Sequence, residues 1–209
     1  MMKYYPINLN IRNKRCVVIG GGEVAQRKVE QLIKAGAQVI VISPRLTKKL
    51  RNLTIKEKIQ HINRNYKAGD LRGAILAFAA TDDHNVNRQA LEEARRRRVL
   101  LNIVDSPEGC DFIVPSLVAR GDLLLTVSTS GKSPALSKKI RKELKALYGR
   151  EYSVFLKLLG SIRESLLTNP FLRRRRGNTF RRLVNSRLLS MIKQANSRGV
   201  DKILKDILG

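Results

Sequence analysis

The chain contains no tryptophan, and phenylalanine and tyrosine together make up 5% of it. A surface that binds single-stranded nucleic acid relies on aromatic platforms for the bases, and few are available here. There are two cysteines, Cys16 and Cys110, at no metal-like spacing. That excludes a disulfide framework and a thiolate metal cluster, and it reads as a pair of reduced thiols. No apolar run approaches the roughly 18 residues of a membrane span. The opening stretch, MMKYYPINLNIRNKR, holds no apolar signal core. The sequence therefore reads as a cytoplasmic chain without a membrane segment. Acid is also scarce. Seventeen Asp and Glu face 42 Lys and Arg, a formal charge of +25. Such a balance attracts polyanions, whether nucleic acid, an anionic membrane, or a polycarboxylate or phosphate ligand. Charge alone does not choose among them.

What is present is a regular alternation of elements. RCVVI (15–19) is a short apolar strand broken by three glycines. In EVAQRKVEQLIKAGA, residues Val24, Ala25, Val29, Leu32, Ile33 and Ala35 recur at helical spacing, and Gly36 ends the run. QVIVIS (38–43) is a second strand, stopped by Pro44. RLTKKLRNL reads as a short helix and IQHINRNY as a third strand. AILAFAA (74–80) is a very apolar strand, TDDHNVNRQALEEARRRR a helix with an Asx- or Thr-capped start, and VLLNIVD the next strand. Apolar, unalternating strands separated by helices predict a parallel sheet covered on both faces, an α/β doubly wound domain over residues 1–113. Beyond it, DLLLTVSTSGKSP reads as a strand and a polar turn, and ALSKKIRKELKALYG (135–149) as an amphipathic helix. From residue 151 the chain reads as basic and helical, with Phe155, Leu158, Leu159, Ile162, Leu166 and Leu167 as a core stripe.

The glycines carry the first functional signal. Gly20-Gly21-Gly22-Glu23-Val24-Ala25 fits G-x-G-x-x-A between a strand and a helix. Gly20 allows the tight turn, Gly22 lets backbone approach a pyrophosphate, and Ala25 lets helix pack near strand. The helix N-terminus adds free N–H groups. The acidic residue expected at the end of the second strand is missing. Ser43-Pro44-Arg45 stands there. Ser43 is available to a ribose hydroxyl and Arg45 to a 2′-phosphate, so NAD and NADP both remain open at this point.

Three segments in order, CVVIGGGEVAQRKVEQLIKAGAQVIVISP, AFAATDDHNVN and NIVDSPEGCDFIVPSLVARGDLLLTVSTSGKSPALSKKIRKEL, resemble the precorrin-2 dehydrogenase / sirohydrochlorin ferrochelatase family, the dehydrogenase-chelatase module of siroheme synthase. The resemblance is dense over about residues 5–150 and loose afterwards. It implies a Rossmann-type NAD-binding domain over 1–113, a small α+β dimerisation segment over 114–150, and a basic helical C-terminal domain over 151–209. It implies oxidation of precorrin-2 to sirohydrochlorin by NAD⁺. In some members Fe²⁺ is then inserted as a substrate, which makes the product siroheme. It further implies a homodimer with the active site between domains. The methyltransferase module of the larger siroheme synthases is not expected here, so precorrin-2 would come from a separate enzyme.

The same resemblance implies residue roles. Gly20, Gly22, Glu23 and Val24 match the pyrophosphate loop, Pro44 and Arg45 the adenosine side, and Thr81 and Asp82 the cofactor-proximal TDD. Asp105 matches the aspartate responsible for the chemistry. Ser128, Thr129, Ser130 and Lys132 lie in the turn that matches the substrate-side segment. Precorrin-2 carries eight carboxylates, which accounts for part of the basic charge. Each residue keeps a plainer reading. Asp before Ser-Pro is a common turn starter. STSGKSP also reads as a solvated turn before a helix, and RRRR (173–176) as a solvated face. His61 and His84 pair with no ligand-spaced Cys or Glu and read as ordinary histidines, with no metal site. Two rival functions stay open: a non-catalytic NAD-sensing regulatory domain, and a basic nucleic-acid-binding protein.

Overall fold

The computed structural model describes residues 3–104, 106, 109–168 and 176–208. Asp105, Pro107 and Glu108, together with 169–175, lie outside the described residues. The chain forms two compact units, Met1–Val114 and Pro115–Gly209.

The first unit runs β1 (Arg15–Ile19), α1 (Glu23–Lys34), β2 (Gln38–Ile42), α2 (Lys48–Ile55), β3 (Gln60–Ile62), β4 (Leu76–Ala79), α3 (His84–Arg97) and β5 (Leu100–Ile103). This is the element order that the hydrophobic patterning predicts. All five strands are parallel, in the spatial order β3-β2-β1-β4-β5. The continuous apolar runs follow from burial on both faces. Val17, Ile19, Ile40, Ile42, Ala77, Ala79, Leu101 and Ile103 face one core, which Ala90 and Ala94 of α3 close. Their neighbours Cys16, Val18, Val39, Val41, Leu76 and Phe78 face the other, closed by Ala25, Val29 and Leu32 of α1 and Leu50 of α2. The period-2 pleat sends adjacent side chains to opposite cores, so the central positions of β1, β2 and β4 are apolar throughout.

Two caps set the helix starts. Thr47 Oγ1 accepts from Leu50 N–H at 3.2 Å, so α2 begins three residues later than RLTKKLRNL suggests. Asp83 Oδ1 accepts from Asn85 and Val86 N–H at 2.9 and 3.1 Å, which identifies the Asx cap of α3.

The second unit contains β6 (Ser116–Arg120), β7 (Leu123–Val127), α4 (Pro134–Leu147), α5 (Glu151–Thr168), α6 (Arg176–Asn185), α7 (Leu188–Lys193) and α8 (Ser197–Leu208). The sequence reading assigned no strand to SLVAR. It pairs antiparallel with β7 through a turn at Gly121, whose φ is +60°. Arg120 holds the far end of α4, its guanidinium donating to the Tyr148 and Lys145 carbonyls at 2.8 and 3.1 Å. Phe155, Ile162 and Leu166 pack with Leu183 and Leu188 into a helical core, which Leu158, Leu159, Ile203 and Ile207 flank. Leu167 departs from the expected stripe: it is 49% exposed, since α5 turns it away from that core. Among the described residues no helix is long and apolar enough to cross a membrane.

Candidate functional site

In an open parallel sheet the strand order reverses at one point, and ligands bind beyond the carboxyl ends there. In this sheet the point lies between β1 and β4, and the three glycines occupy it. Gly20 N–H donates to the Ile42 carbonyl at 2.9 Å. Its φ is +110°, and a Cβ would stand 2.1 Å from the Ala80 carbonyl oxygen. Gly21 is equally constrained, with a Cβ position 2.0 Å from the Arg45 carbonyl oxygen and 2.9 Å from Ser43 Oγ. Gly22 differs. Its φ of −82° is ordinary, and nothing lies within 4 Å of its Cβ position. The protein's own packing therefore requires Gly20 and Gly21 but not Gly22. Gly22 leaves an open face at the start of α1, where backbone N–H groups and the positive helix end meet. That cradle fits a pyrophosphate. Glu23 is exposed and Val24 half-buried in the first turn of α1, while Ala25 is fully buried against the sheet.

At the end of β2 the structure revises one expectation. Ser43 is buried, and its hydroxyl donates to the Arg45 carbonyl at 2.7 Å while accepting from Arg45 N–H at 3.3 Å. It holds the turn rather than a ribose. His61 Nε2 donates to the Ser43 carbonyl at 2.8 Å, and Thr47 N–H donates to the Gly21 carbonyl at 3.0 Å. The 43–47 turn is thus fixed onto both β3 and the glycine loop. A cavity of about 440 Å³ opens beside it, lined by Pro44, Arg45, Leu46, Arg51, His61 and Asn63. Pro44 and Arg45 follow β2 and form one wall of this cavity. His61 and Asn63 join them through the β2–β3 pairing and Arg51 from α2, neither of which a lone sequence displays.

Thr81 follows β4 beside Gly20 and is half-buried, while Asp82 is exposed. Asn87, one turn into α3, donates from Nδ2 to the Thr81 carbonyl at 3.1 Å. Its Oδ1 is buried with no partner. The sequence reading did not single it out.

Asp105 lies outside the described residues; described residues before and after it are held to the sheet. Val104 N–H donates to the Ala79 carbonyl at 2.9 Å. Cys110 Sγ accepts from Ile103 N–H at 3.2 Å and has the Ile103 and Ser106 carbonyls at 3.2 Å as acceptors for its proton. Asn102 Nδ2 donates to the Phe112 carbonyl at 2.9 Å, and the Asp111 carboxylate accepts from Leu101 N–H at 2.8 Å. Burial pushes the Cys110 thiol above its ordinary value, so it keeps the proton that this geometry uses. A residue that reads in sequence as an unremarkable thiol ties Ser106 to the end of β5.

In the second unit, Ser130 and Gly131 have φ of +54° and +83° in the STSGKSP turn. Thr129 Oγ1 accepts from Ser133 N–H, lies 3.1 Å from the Ser133 carbonyl and faces Ser137 Oγ at 3.1 Å. Ser133 caps α4 through Leu136 N–H at 3.2 Å. Ser128 Oγ accepts from Ser130 N–H at 3.1 Å. Thr129 is therefore bonded inward, whereas Ser130 and Lys132 are exposed.

A second cavity, of about 460 Å³, lies beyond the opposite, amino ends of β4 and β5, lined by Ala68, Gly69, Glu93, Arg96 and Arg97. Its buried Glu93 accepts from Tyr66 Oη, Gly69 N–H and Arg97 Nε. Burial is the largest influence on Glu93 and acts upward, yet these three donors together bring its carboxyl below the ordinary value. Both carboxylate oxygens are engaged inside the fold, so this reads as a structural hub. Among the described residues no three His, Cys, Asp or Glu side chains cluster as metal ligands.

Comparison with known proteins bears on the same regions. Residues 7–116 match the family model described as "Putative NAD(P)-binding". The chain belongs to this NAD(P)-binding family. Residues 120–147 match the model described as "Sirohaem biosynthesis protein central". Siroheme synthase of Methylobacillus flagellatus is 36% identical over 207 residues, covering 97% of this chain and 44% of the relative. Siroheme synthase of Nitrosococcus oceani is 42% identical over 151 residues, covering 72% of this chain and 32% of the relative. The chain thus spans less than half the length of these curated relatives. A solved structure titled SirC, precorrin-2 dehydrogenase, superposes with a TM-score of 0.81 at 22% identity, covering 98% of both chains. The fold is shared, and the family agrees with the resemblance read from the sequence.

Proposed function

We propose that the protein is a precorrin-2 dehydrogenase of siroheme biosynthesis, using a nicotinamide dinucleotide with NAD⁺ as the acceptor the family resemblance implies. The observation that carries the reading is the glycine loop at the reversal of strand order, with the open face of Gly22 at the start of α1. The siroheme synthase relatives support the choice of substrate.

The bound nicotinamide supplies the hydride acceptor. The chain's own groups do the rest. Gly20 and Gly22 present backbone to the pyrophosphate, with Glu23 and Val24 completing the first turn beside it. Pro44 and Arg45 border the adenosine, and Thr81 and Asp82 border the reacting end. Precorrin-2 loses one hydride and one proton to become sirohydrochlorin, and Asp105 accepts the proton. Ser128, Ser130 and Lys132 bind substrate carboxylates, and Thr129 holds their turn in shape. Ferrochelation is the second activity of this reading: as Fe²⁺ enters, two pyrrole N–H protons leave, one to the Asp105 carboxylate, which has returned its earlier proton to solvent, and one to water. A homodimer through residues 114–150 completes it, with 151–209 as a separate helical domain. The outward residues Leu117 and Leu124 of the β6–β7 hairpin, 41% and 48% exposed, support such a contact.

The test is anaerobic. The protein is mixed with enzymatically generated precorrin-2 and NAD⁺, and the sirohydrochlorin spectrum is recorded, with an NAD⁺-free control, before Fe²⁺ is added. NAD⁺-dependent conversion is expected, followed by metal insertion faster than the protein-free rate. A folded, dinucleotide-binding protein that converts nothing would overturn the dehydrogenase reading and favour a nucleotide-sensing regulatory domain.

A further inference from the structure

The cavity of about 460 Å³ beyond the amino ends of β4 and β5 has no part in the dehydrogenase reading. A dinucleotide on an open parallel sheet binds beyond the carboxyl ends of the strands, and this cavity lies at the other end. It has the size of a small-molecule pocket. Its lining is Ala68, Gly69, Glu93, Arg96 and Arg97.

Charge decides what such a cavity holds. Glu93 is the one carboxylate in the lining, and its oxygens are already engaged. Oε1 accepts from Arg97 Nε at 2.5 Å, and Oε2 accepts from Tyr66 Oη at 2.5 Å and from Gly69 N–H at 2.8 Å. Arg97 is therefore fixed through Nε alone. Among the described residues its two Nη groups have no hydrogen-bond partner, and its side chain is 40% exposed. Arg96 beside it is exposed and has neither a hydrogen bond nor an ion pair among the described residues. Glu92, one turn before it on α3, makes no ion pair with it. In the loop that forms the facing wall, the Asp70 carboxylate is taken by Arg64 at 2.7 Å, and Arg15 Nη2 donates to the Asp70 carbonyl at 3.2 Å. Gly69 of that wall has a φ of +104°, and nothing stands within 4 Å of its Cβ position, so the wall there is bare backbone. The cavity thus offers two guanidinium groups with unused donors and a carboxylate that is already satisfied.

We propose that this cavity binds the phosphate group of a small phosphorylated metabolite through Arg96 and Arg97, at a site separate from the glycine loop. A phosphate monoester takes charge-assisted, often bidentate bonds from guanidiniums. The cavity is larger than a bare phosphate fills, so the organic part of the ligand occupies the remainder. Glu93 takes part indirectly, by holding Arg97 in place through Nε and leaving the outer edge of the guanidinium to the ligand. The site does not depend on the dinucleotide reading.

The experiment is isothermal titration calorimetry of the full chain at constant ionic strength, with NAD⁺ in excess to occupy the glycine loop. The titrants are inorganic phosphate and ribose 5-phosphate. One saturable site is expected for each, tighter for the ester. Arg96→Gln removes a guanidinium that makes no internal bond, so the variant folds; circular dichroism checks this. It should weaken both affinities about tenfold, the loss expected from one charge-assisted bond. Arg97→Lys keeps a cation for Glu93 but loses the second donor edge, and should weaken them by a similar factor. Arg181→Gln, at an exposed arginine of α6, should leave both unchanged. Absence of saturable binding up to about 10 mM of either titrant would overturn the proposal. So would binding that Arg96→Gln and Arg181→Gln alter alike, which is the behaviour of a diffuse basic surface. Inorganic phosphate binding as tightly as the ester would overturn the assignment to a metabolite.

Discussion

The Arg45 carbonyl lies over Gly21 so closely that a Cβ on Gly21 would stand 2.0 Å from its oxygen. The phosphate loop and the adenosine-side turn are therefore one packed unit. Gly21→Ala should push them apart at a cost of about 1–3 kcal/mol, typical of overpacking. A thermal melt should show the loss of stability, and dinucleotide titration a weaker affinity. Gly22→Ala, which meets no protein atom, should leave the melting temperature within a degree or so while still weakening dinucleotide binding. Equal behaviour of the two variants would contradict the distinction between packing glycine and ligand glycine.

Asp105→Asn keeps an oxygen able to start the turn but removes the charge. The expected result is a fall in kcat for precorrin-2 oxidation of about 10²–10⁴, with dinucleotide affinity little changed. Full activity in this variant would reduce Asp105 to a turn residue.

Cys110 should matter without being reactive. Burial raises its thiol, so alkylation by iodoacetamide near pH 7.5 should be slow against free glutathione. Cys110→Ala removes the group that Ile103 N–H bonds. The cost should be about 1–3 kcal/mol in stability, with kcat falling further than KM rises. Cys110→Ser, which retains donor and acceptor, should recover part of both. Rapid alkylation, or an Ala variant with wild-type kcat, would argue against this role.

Acid should destabilise the first unit through two carboxylates. Arg64 beside Asp70 lowers that carboxyl from 3.8. Glu93, where burial acts upward, is still brought below 4.5 by its three donors. Both folded values lie below the unfolded ones. Their stabilisation is present above about pH 4.5 and is lost as pH falls through the lowered folded values. Melting temperature against pH should therefore drop below about pH 4.5, and Glu93→Gln should flatten that drop. A Gln variant with an unaltered acid limb would show that Glu93 contributes nothing there.

The hairpin offers a test of assembly. Leu117 and Leu124 project to the same side, since Leu117 pairs with Thr126 and Leu124 with Ala119. Leu117→Glu with Leu124→Glu should convert a homodimer to a monomer in light scattering, with the NADH affinity of the first unit retained. A wild-type protein that already runs as a monomer would remove the dimer from the reading.

Local pattern alone specifies nearly all of the first unit. The apolar runs of β1, β2, β4 and β5 have no competing period, and glycine or proline punctuates two of their ends, so local pattern and global fold agree. It also located Gly20, Gly22, Pro44, Arg45, Thr81 and Asp82 at strand ends. β6 escaped because SLVAR is five residues with a single inward side chain, Val118, and becomes a strand only by pairing with β7. The same reason separates Ser43 from its expected role: a hydroxyl next to proline reads as available until the backbone turn places it 2.7 Å from the Arg45 carbonyl. Arg51, His61, Asn87 and Cys110 were not legible because nothing in their neighbourhood in the chain distinguishes them. Their partners are set by strand register and helix docking, contacts between residues distant in sequence that only the tertiary structure brings within hydrogen-bond range.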